Sequence, residues 1–315
     1  MDMELLMELC RIPGLSGDET KVRDFVLDYC RRHQASWTKQ PEIWVGDGFK
    51  DNLVLIFGTP ETAWYAHMDT VGFMARYDNY LVPVGGPDGS TGDFLVYEEN
   101  GKWEETRLID EEDAILVDAQ EKMSPGTQLY YKPHFEEDEN FIRSPYLDDR
   151  FGVWSLLQYA PKANNIALVF STYEEHGGGG AGLIARLLFE KYQIRTALIA
   201  DVTWSTDGVS PGKGPVVSIR DSRIPRRRFV ECICSLLEKK SVPFQREVEA
   251  VGGSDGREIQ HIPYPIDWCF FGPPSENPHS SLESIHKEDI PVFLGMISVL
   301  SENLPKSWKA AENKL

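Results

Sequence analysis

Two histidines and several carboxylates follow short apolar runs of the chain, where their side chains could share one ligand. His67 and Asp69 follow the run TAWYA, and Asp201 follows TALIA. Glu174 and Glu175 follow the run ALVFSTY. Ligands of open α/β sheets bind beyond the carboxyl ends of the strands, so we expect these side chains to meet at one edge.

Two further segments of the chain extend this set of residues. Asp148 and Asp149 lie in YLDDRFG, immediately before a predicted helix, and His279 lies a few residues past the apolar run DWCFFG. Carboxylates gathered at one rim repel one another strongly unless a cation lies among them. Imidazole and carboxylate donors without a thiolate suit Zn²⁺, Co²⁺ or Mn²⁺. The combination therefore indicates a metal centre.

Each of these short patterns also has an ordinary structural interpretation. A His67-Met-Asp69 motif is more often a hydrogen-bonded pair than a metal site, and adjacent glutamates are typical of a solvated turn. The paired aspartates are suitable caps for the helix that follows them. The shared donor chemistry at five strand-end or junction positions favours the metal centre over these separate interpretations.

A glycine-rich segment offers a competing function. Gly177 to Gly182 reads GGGGAG, a literal GxGxxG, and Asp201 lies near the separation expected of the acid in a dinucleotide site. In such a site, however, the first glycine follows its strand almost directly, so that a pyrophosphate meets the helix N-terminus. Here Tyr173-Glu-Glu-His176 intervenes and brings two carboxylates. The pattern favours a tight turn, and an NAD-dependent oxidoreductase is the weaker alternative.

Alternating strand and helix patterns predict how these residues are positioned. Ser16 and Glu19 form a predicted capping box for a helix that extends to about His33. Apolar runs at 52–57 and 62–66 predict two strands. The later predicted helices are 150–160, 181–192, 226–240 and 287–303, and the later strands are 165–171, 196–201, 215–219, 244–250 and 265–271. This alternation predicts an α/β fold with a mostly parallel or mixed sheet flanked by helices.

The segment 73–143 differs in texture from the rest of the chain. It is rich in Gly, Asp and Glu, its apolar segments are short and alternating, and no helical period lasts long. We therefore predict a discontinuous catalytic α/β domain made of residues 1–72 and 144–315. Residues 73–143 are the predicted inserted β domain.

Composition excludes several classes of partner. The chain has 32 Lys and Arg against 50 Asp and Glu, a formal net charge of −18. Such a charge repels nucleic acids and anionic membrane surfaces, and the only dense basic run, RIPRRR, is short. No apolar run is long enough for a transmembrane helix, and the acidic start lacks a signal-peptide pattern. Five cysteines in 315 residues predict a reducing, cytoplasmic location.

The motifs taken together resemble a known family. In chain order they are HMDTVGFM, VPVGGPD, LDDRFG, TYEEHGGGGAG, ADVT, PGKGPVV, GGSDG and PHSSLE. This set is similar to the tetrahedral (TET-type) glutamyl and deblocking aminopeptidases, the forty-second family of metallopeptidases. The resemblance implies a zinc-peptidase-like catalytic domain with two divalent metal ions per chain. It also implies that the insertion is a PDZ-like or barrel-like domain that mediates homo-oligomerisation.

The resemblance further implies roles for individual residues. The implied metal ligands are His67, Asp148, Glu175, Asp201 and His279. Asp69 would orient the ring of His67, and Glu174 would be the general base on a metal-bridging water. The family pattern favours Asp148 over Asp149 as the residue that bridges the metals, and it assigns no role to Asp255 or Glu283.

The implied activity is the removal of N-terminal residues from short peptides, with Zn²⁺ favoured over Co²⁺ and Mn²⁺. Two residues depart from the family pattern, Thr70 in place of an acid and His176 in place of a small apolar residue. Thr70 also suits related di-zinc carboxypeptidases and N-acyl amino acid deacylases, which remain alternatives. A metal-free assembly module is disfavoured by the intact set of ligand types.

Overall fold

Helices and strands alternate through most of the chain in the computed structural model, which describes residues 1–111, 114–119 and 122–312. The α-helices are α1 (Met3–Arg11), α2 (Thr20–His33), α3 (Leu147–Tyr159), α4 (Ala181–Tyr192), α5 (Arg227–Lys239), α6 (Asp255–Ile259) and α7 (Asp289–Glu312). The strands are β1 (Glu42–Trp44), β2 (Leu53–Phe57), β3 (Ala63–His67), β4 (Gly72–Ala75), β5 (Tyr80–Val84), β6 (Phe94–Glu99), β7 (Lys102–Glu111), β8 (Ala114–Val117), β9 (Gln128–Tyr131), β10 (Glu136–Glu137), β11 (Phe141–Ser144), β12 (Ile166–Ser171), β13 (Thr196–Ala200), β14 (Thr203–Trp204), β15 (Val216–Arg220), β16 (Gln245–Val248), β17 (Asp267–Gly272), β18 (Pro274–Glu276) and β19 (Glu283–His286). None of the described helices combines the length and the apolar character needed to cross a membrane.

The largest sheet has eight strands in the order β1-β2-β12-β3-β13-β17-β15-β16. Its centre is parallel, because β3 pairs in parallel with β12 and β13, and β13 does so with β17. Antiparallel pairs occur on either side, between β2 and β12 and between β15 and β17. The predicted α/β class with a mixed sheet flanked by helices is therefore confirmed.

Strand β3 shows why this sheet needs helices on both faces. All five of its residues are buried. Trp64 and Ala66 pack in a core with residues of α1, α2, α3, α5 and α7, whereas Ala63 and Tyr65 pack in a second core with residues of α4 and α6. An apolar run without polar alternation is typical of a strand covered on both faces. His67 is the last residue of β3 and the only one in the strand with an imidazole or carboxylate side chain.

Strands β4 to β9 form a closed barrel in the order β4-β5-β8-β7-β6-β9. The barrel lies in the chain between β3 and α3, and its core contains Leu81, Leu95, Leu108 and Leu129. Alternation along β7 places Thr106 and Leu108 inside while their neighbours are more exposed. The assignment of this region as a separate domain that mediates oligomerisation stays a prediction.

The last part of the predicted insertion, residues 136–143, does not belong to the barrel. Strands β10 and β11 belong to a second sheet, of order β10-β11-β19-β18-β14, and not to the barrel. Ile142 of β11 lies opposite Ile285 of β19, and both side chains are fully buried. This long-range apolar pairing has no local signal, so texture alone extended the insertion too far along the chain.

The predicted capping box at the start of α2 is wrong. The helix begins at Thr20, and the hydroxyl of Ser16 instead donates to Asp69 Oδ2 at 2.6 Å. Glu19 Oε1 accepts hydrogen bonds from the backbone N–H groups of Gly17 and Tyr173, at 2.9 and 3.1 Å. Both side chains are therefore engaged by tertiary partners that sequence spacing does not reveal.

Candidate metal centre

His67 ends β3 and faces two carboxylates. Its side chain is 2% exposed, and its Nε2 lies 3.1 Å from Asp148 Oδ1 and 3.7 Å from Asp201 Oδ2. The other ring nitrogen, Nδ1, lies 3.1 Å from the backbone carbonyl oxygen of Asp69. A carbonyl only accepts, so Nδ1 donates to it, which leaves Nε2 as the nitrogen that a metal ion between these carboxylates would bind.

His279 occupies a similar position on the other side of Asp148. Its Nε2 lies 3.3 Å from Asp148 Oδ2 and 3.4 Å from Glu175 Oε2. Its Nδ1 donates to the backbone carbonyl of Gly86 at 3.0 Å, in the loop that follows β5 of the barrel. The barrel thus contributes the group that orients this imidazole, although it contributes none of the predicted ligands.

Asp148 is common to two groups of possible metal-ligating atoms. His67, Asp148 and Asp201 form one group, and Asp148, Glu175 and His279 form the other. The ligand atoms within each group lie within 4.8 Å of one another. One carboxylate oxygen of Asp148 faces His67 and the other faces His279. All five residues implied as metal ligands are therefore brought together.

Burial and crowding oppose the ionisation of two of these carboxylates. Burial, followed by the charges of Asp149 and Asp148, raises the pKa of Asp201 well above its ordinary value. Burial and Asp148 likewise raise the pKa of Glu175, whose Oε1 is buried without a hydrogen-bond partner among the described residues. A divalent cation bound beside Glu175 Oε1 would give this atom a partner and would offset the repulsion between the carboxylates. The donor set therefore fits metal ions.

Asp69 shapes the turn that carries the two glutamates. Its Oδ1 accepts the backbone N–H of Glu174 at 3.1 Å, and its Oδ2 accepts that of Glu175 at 3.0 Å. Burial would raise the pKa of Asp69, but hydrogen bonds from His67 and Ser16 hold it below its ordinary value. Asp69 contacts the ring of His67 mainly through its carbonyl, so its carboxylate serves the turn as well as the imidazole.

Glu174 lies beside the two groups without belonging to either. It is 9% exposed, and burial raises the pKa of its carboxyl. Arg257 donates to the backbone carbonyl of Glu174 at 3.0 Å, and its guanidinium lies 3.6 Å from Glu174 Oε1. A carboxylate of raised pKa that borders a ligand group is suited to proton transfer.

Asp149 is turned away from the ligand groups. Its Oδ2 accepts the backbone N–H of His67 at 3.1 Å, and its Oδ1 accepts that of Gly152 at 2.8 Å. The peptide bond between Asp148 and Asp149 is cis. These hydrogen bonds favour Asp148 as the residue shared by the two ligand groups. Asp149 instead connects the end of β3 to α3.

Two acids without an assigned role in the sequence analysis have clear partners here. Glu283 accepts the backbone N–H of Asp148 at 2.8 Å and that of His279 at 2.9 Å, so one carboxylate holds residues of both groups. Asp255 accepts a hydrogen bond from the hydroxyl of Ser171, at the end of β12. The motif PHSSLE pointed to Glu283 but not to its partners, because Asp148 is 135 residues away in the chain and His279 is 4 residues away.

The glycine-rich segment forms a tight turn before α4. Gly177, Gly178 and Gly179 have positive φ angles, which glycine adopts without strain. A Cβ at Gly178 or Gly182 would meet the carboxylate of Glu258. An acid against these glycines is an unfavourable neighbour for a pyrophosphate, so the structure supports the turn interpretation over a dinucleotide site.

A cavity of about 310 Å³ opens beside the two groups. His67, Asp148, Glu175, Asp201 and His279 all line it, as does Glu174. Away from these residues the wall includes Val202, Trp204, Asp221, Glu247, Glu249, Val251, Arg257 and Phe270. The cluster therefore faces a space that can receive a small ligand or the end of a chain.

The fold is shared with several solved peptidases. A TET aminopeptidase from a marine sediment archaeon, Thaumarchaeota archaeon SCGC AB-539-E09, has 19% identity and a TM-score of 0.84, covering 98% of both chains. An aminopeptidase from Desulfurococcus kamchatkensis has 22% identity and a TM-score of 0.82, covering 98% of this chain and 96% of that one. The TET1 peptidase of Pyrococcus horikoshii has 22% identity and a TM-score of 0.80, covering 96% and 99%.

A family model supplies the evidence for membership. The model of the M42 glutamyl aminopeptidases matches residues 98–294, which is more than half of the chain. This match confirms the family that the motifs indicated, and with it the expectation of a hydrolase. The chain belongs to the M42 glutamyl aminopeptidase family and is a peptidase of the metallo-aminopeptidase type.

Proposed function

We propose that this chain removes N-terminal residues from short peptides with the help of two divalent metal ions. The proposed ligands are His67, Asp148, Glu175, Asp201 and His279. Zn²⁺ is favoured, and Co²⁺ and Mn²⁺ are alternatives, because the donors are imidazoles and carboxylates without a thiolate. The observation that carries the proposal is the placement of Asp148, whose two oxygens face two different imidazoles.

Glu174 is the proposed general base. When bound, the two cations would polarise the scissile carbonyl and lower the pKa of the attacking water. Glu174 would accept a proton from that water and deliver it to the leaving amine. Asp69 supports this role by fixing the backbone of Glu174, and Arg257 supports it by holding the carbonyl of the same residue.

We further propose a cytoplasmic homo-oligomer that assembles through the barrel. Tyr77, Tyr80 and Val82 on or beside β5 are 65%, 45% and 45% exposed, an apolar surface that an interface would cover. The TET1 peptidase of Pyrococcus horikoshii is described as assembling into a tetrahedron or a large octahedral shell. The five cysteines are all free thiols, which supports a reducing compartment.

Metal titration combined with a substrate panel tests the proposed activity. Protein freed of metal with a chelator is titrated with Zn²⁺, Co²⁺ or Mn²⁺, and bound metal is measured by elemental analysis. We expect two ions per chain and metal-dependent hydrolysis of aminoacyl p-nitroanilides that carry a free α-amine.

Four outcomes would contradict parts of the proposal. Negligible metal binding would remove the metal centre altogether. Cleavage of N-acyl amino acids in preference to free-amine substrates would support a deacylase, and cleavage at the peptide C-terminus would support a carboxypeptidase. A chain that light scattering finds to be a monomer of 35.7 kDa would contradict the proposed assembly.

A further inference from the structure

The cavity extends beyond the proposed metal ligands to a second end that carries three more acids. Asp221, Glu247 and Glu249 line this end of the cavity. Given the proposed aminopeptidase function, on which this inference rests, we propose that this end binds the side chain of the substrate's first residue and selects lysine or arginine. The three acids would be specificity-determining residues, and none of them is among the proposed metal ligands.

Glu247 connects this acidic end to the metal centre. Glu247 is 3% exposed, and its Oε1 accepts a hydrogen bond from the hydroxyl of Thr203. Asp201 directly follows β13, and Thr203, two residues later, is the first residue of β14. Glu247 and the proposed metal ligands line the same cavity, so a substrate bound at the metal centre shares that space with Glu247.

Register in the sheet explains why the three acids lie together. Strands β15 and β16 run in parallel, and Ser218 of β15 lies opposite Glu247. Asp221 follows β15 directly, and Glu249 follows β16 directly. Glu249 also donates its backbone N–H to the carbonyl of Arg220 at 2.9 Å, which holds the end of β16 against β15. The acids thus emerge from adjacent strands on the wall of one cavity.

The arginines near these acids donate hydrogen bonds to backbone carbonyls. Among the described residues that line the cavity, Arg257 is the one lysine or arginine, and its guanidinium is engaged by Glu174. Arg223 and Arg257 act on Asp221 at longer range, and Arg223 donates to the carbonyl of Ser222. Arg220 donates to the backbone carbonyl of Glu249 at 2.6 Å. The acidic end therefore keeps an excess of negative charge that a cationic side chain would offset.

The remaining wall suits the stem of such a side chain. Val202 and Phe270 are buried residues of the wall, and Val251 and Trp204 contribute apolar surface nearer the solvent. Lysine and arginine carry three or four methylene groups below their charge, which pack against apolar surface while the charge meets polar groups. An apolar wall that leads to carboxylates matches this division, whereas an acidic side chain would meet repulsion.

Kinetics on matched substrates test the inference. Aminoacyl-coumarin substrates of lysine, arginine, norleucine and glutamate are compared on the metal-loaded enzyme. Norleucine has the stem of lysine without its ammonium group, so this pair isolates the charge. We expect kcat/KM for lysine and arginine to exceed that for norleucine by about ten-fold or more, as for hydrogen bonds to a charged group, and glutamate to be the poorest substrate.

Variants of the acids locate the effect. Glu247→Gln and Glu249→Gln should each reduce the ratio of lysine to norleucine kcat/KM, and the double variant should remove most of the preference. Glu231→Gln on the exposed surface of α5 is the control and should leave the ratio unchanged. Glu247 is buried, so its substitution can also destabilise the fold. If Glu247→Gln lowers the melting temperature, the variant of the half-buried Glu249 provides the test.

A binding measurement separates recognition from catalysis. Calorimetry on the Glu174→Gln variant should find lysine amide bound about ten-fold more tightly than norleucine amide. A preference for glutamate or norleucine, or a ratio that both acid variants leave unchanged, would overturn the specificity and leave the proposed activity standing. Failure to cleave any free-amine substrate would instead overturn the proposed function and this inference with it.

Discussion

Glu174 and Glu175 are adjacent in sequence but have different surroundings. Glu175 Oε2 faces His279, whereas Glu174 Oε1 faces the guanidinium of Arg257. Asp69 accepts both of their backbone N–H groups, and these two hydrogen bonds hold the turn in this orientation. Neighbouring acids of one chemical type thus obtain separate tasks from the geometry of a single turn.

Glu174→Gln should separate catalysis from metal binding. The substitution keeps the size of the side chain but removes the group that accepts a proton. We expect turnover to fall by about 10²–10⁴-fold while the metal content stays unchanged. Glu190→Gln on exposed α4 is the matched control, and elemental analysis accompanies the kinetics. Near-full activity of Glu174→Gln would remove Glu174 as the base.

Glu283→Gln tests whether one acid supports both ligand groups. The carboxylate accepts from the backbone N–H groups of Asp148 and His279, and an amide keeps only one accepting oxygen. We expect metal affinity to fall by about 10–100-fold, as for other residues that orient ligands. A chelator competition assay measures this affinity.

Glu276→Gln serves as the control for this experiment. Glu276 accepts from the hydroxyl of Ser284 in the strand beside Glu283 but contacts no proposed ligand. The affinity of the Glu276→Gln variant for metal should match that of the unmodified protein. Equal affinities for the Glu283 and Glu276 variants would show that Glu283 is not needed to position the ligands.

Sequence reasoning at this scale found the residues that follow apolar strands. His67, Glu174, Glu175 and Asp201 were predictable because parallel strands end at one edge of a sheet. The supporting contacts of Glu283, the carbonyl of Gly86 and the guanidinium of Arg257 were not, because each comes from a segment that packs against the centre from elsewhere in the fold.

At the scale of elements, β13 and β17 approach closely where Asp201 leaves the sheet. Asp201 donates its backbone N–H to the carbonyl of Phe271 at 3.0 Å. A Cβ at Gly272 would overlap the backbone carbonyl of Asp201. The backbone cannot yield there without displacing a proposed metal ligand, so this position requires glycine.

Gly272→Ala should therefore destabilise the fold and the metal centre together. We expect the free energy of unfolding to fall by about 3 kcal/mol, the upper part of the range for overpacking, because the overlapped atom is backbone. Urea denaturation measures the change. Gly295→Ala in α7 is the control, since its Cβ would meet no atom within 4 Å, and it should be neutral or stabilising. Equal stabilities for the two variants would contradict the close approach.

Periodicity predicted the regular elements better than the short ones. Helix α4 matches the predicted 181–192, because its apolar spacing and the glycine turn before it are both local signals. The short strands β10, β14 and β18 and helix α6 had no such signal, since they exist only through pairing and packing with distant segments. The same reason explains why the predicted insertion extended to residue 143.

At the scale of the whole molecule, the net charge of −18 includes acids that the fold buries together. Asp148 and Asp201 are buried, Glu175 is partly buried, and all three lie next to one another on the wall of the cavity. Buried like charges weaken a folded state, and a ligand that binds only the folded state strengthens it. Stability should therefore depend on the bound metal.

Metal removal should lower the melting temperature. A ligand at about 1,000 times its Kd stabilises by about 4 kcal/mol, so we expect chelation to lower the melting temperature by on the order of 5–10 °C. Differential scanning calorimetry with chelator, and then with excess Zn²⁺, measures the shift. Asp148→Asn, which alters the shared residue, should show little of it. The same shift in that variant would contradict the role of Asp148.

The contact between the barrel loop and His279 limits how the barrel can be exchanged. Gly86 accepts from the ring of His279, and Asp88 donates its backbone N–H to the carbonyl of His279 at 2.9 Å. A chimera that takes its barrel from a relative must therefore keep the junction at 85–88, or supply an equivalent acceptor. The distal strands β6 to β8 carry no contact of this kind to His279 in the described part of the chain, so modular replacement is best confined to them.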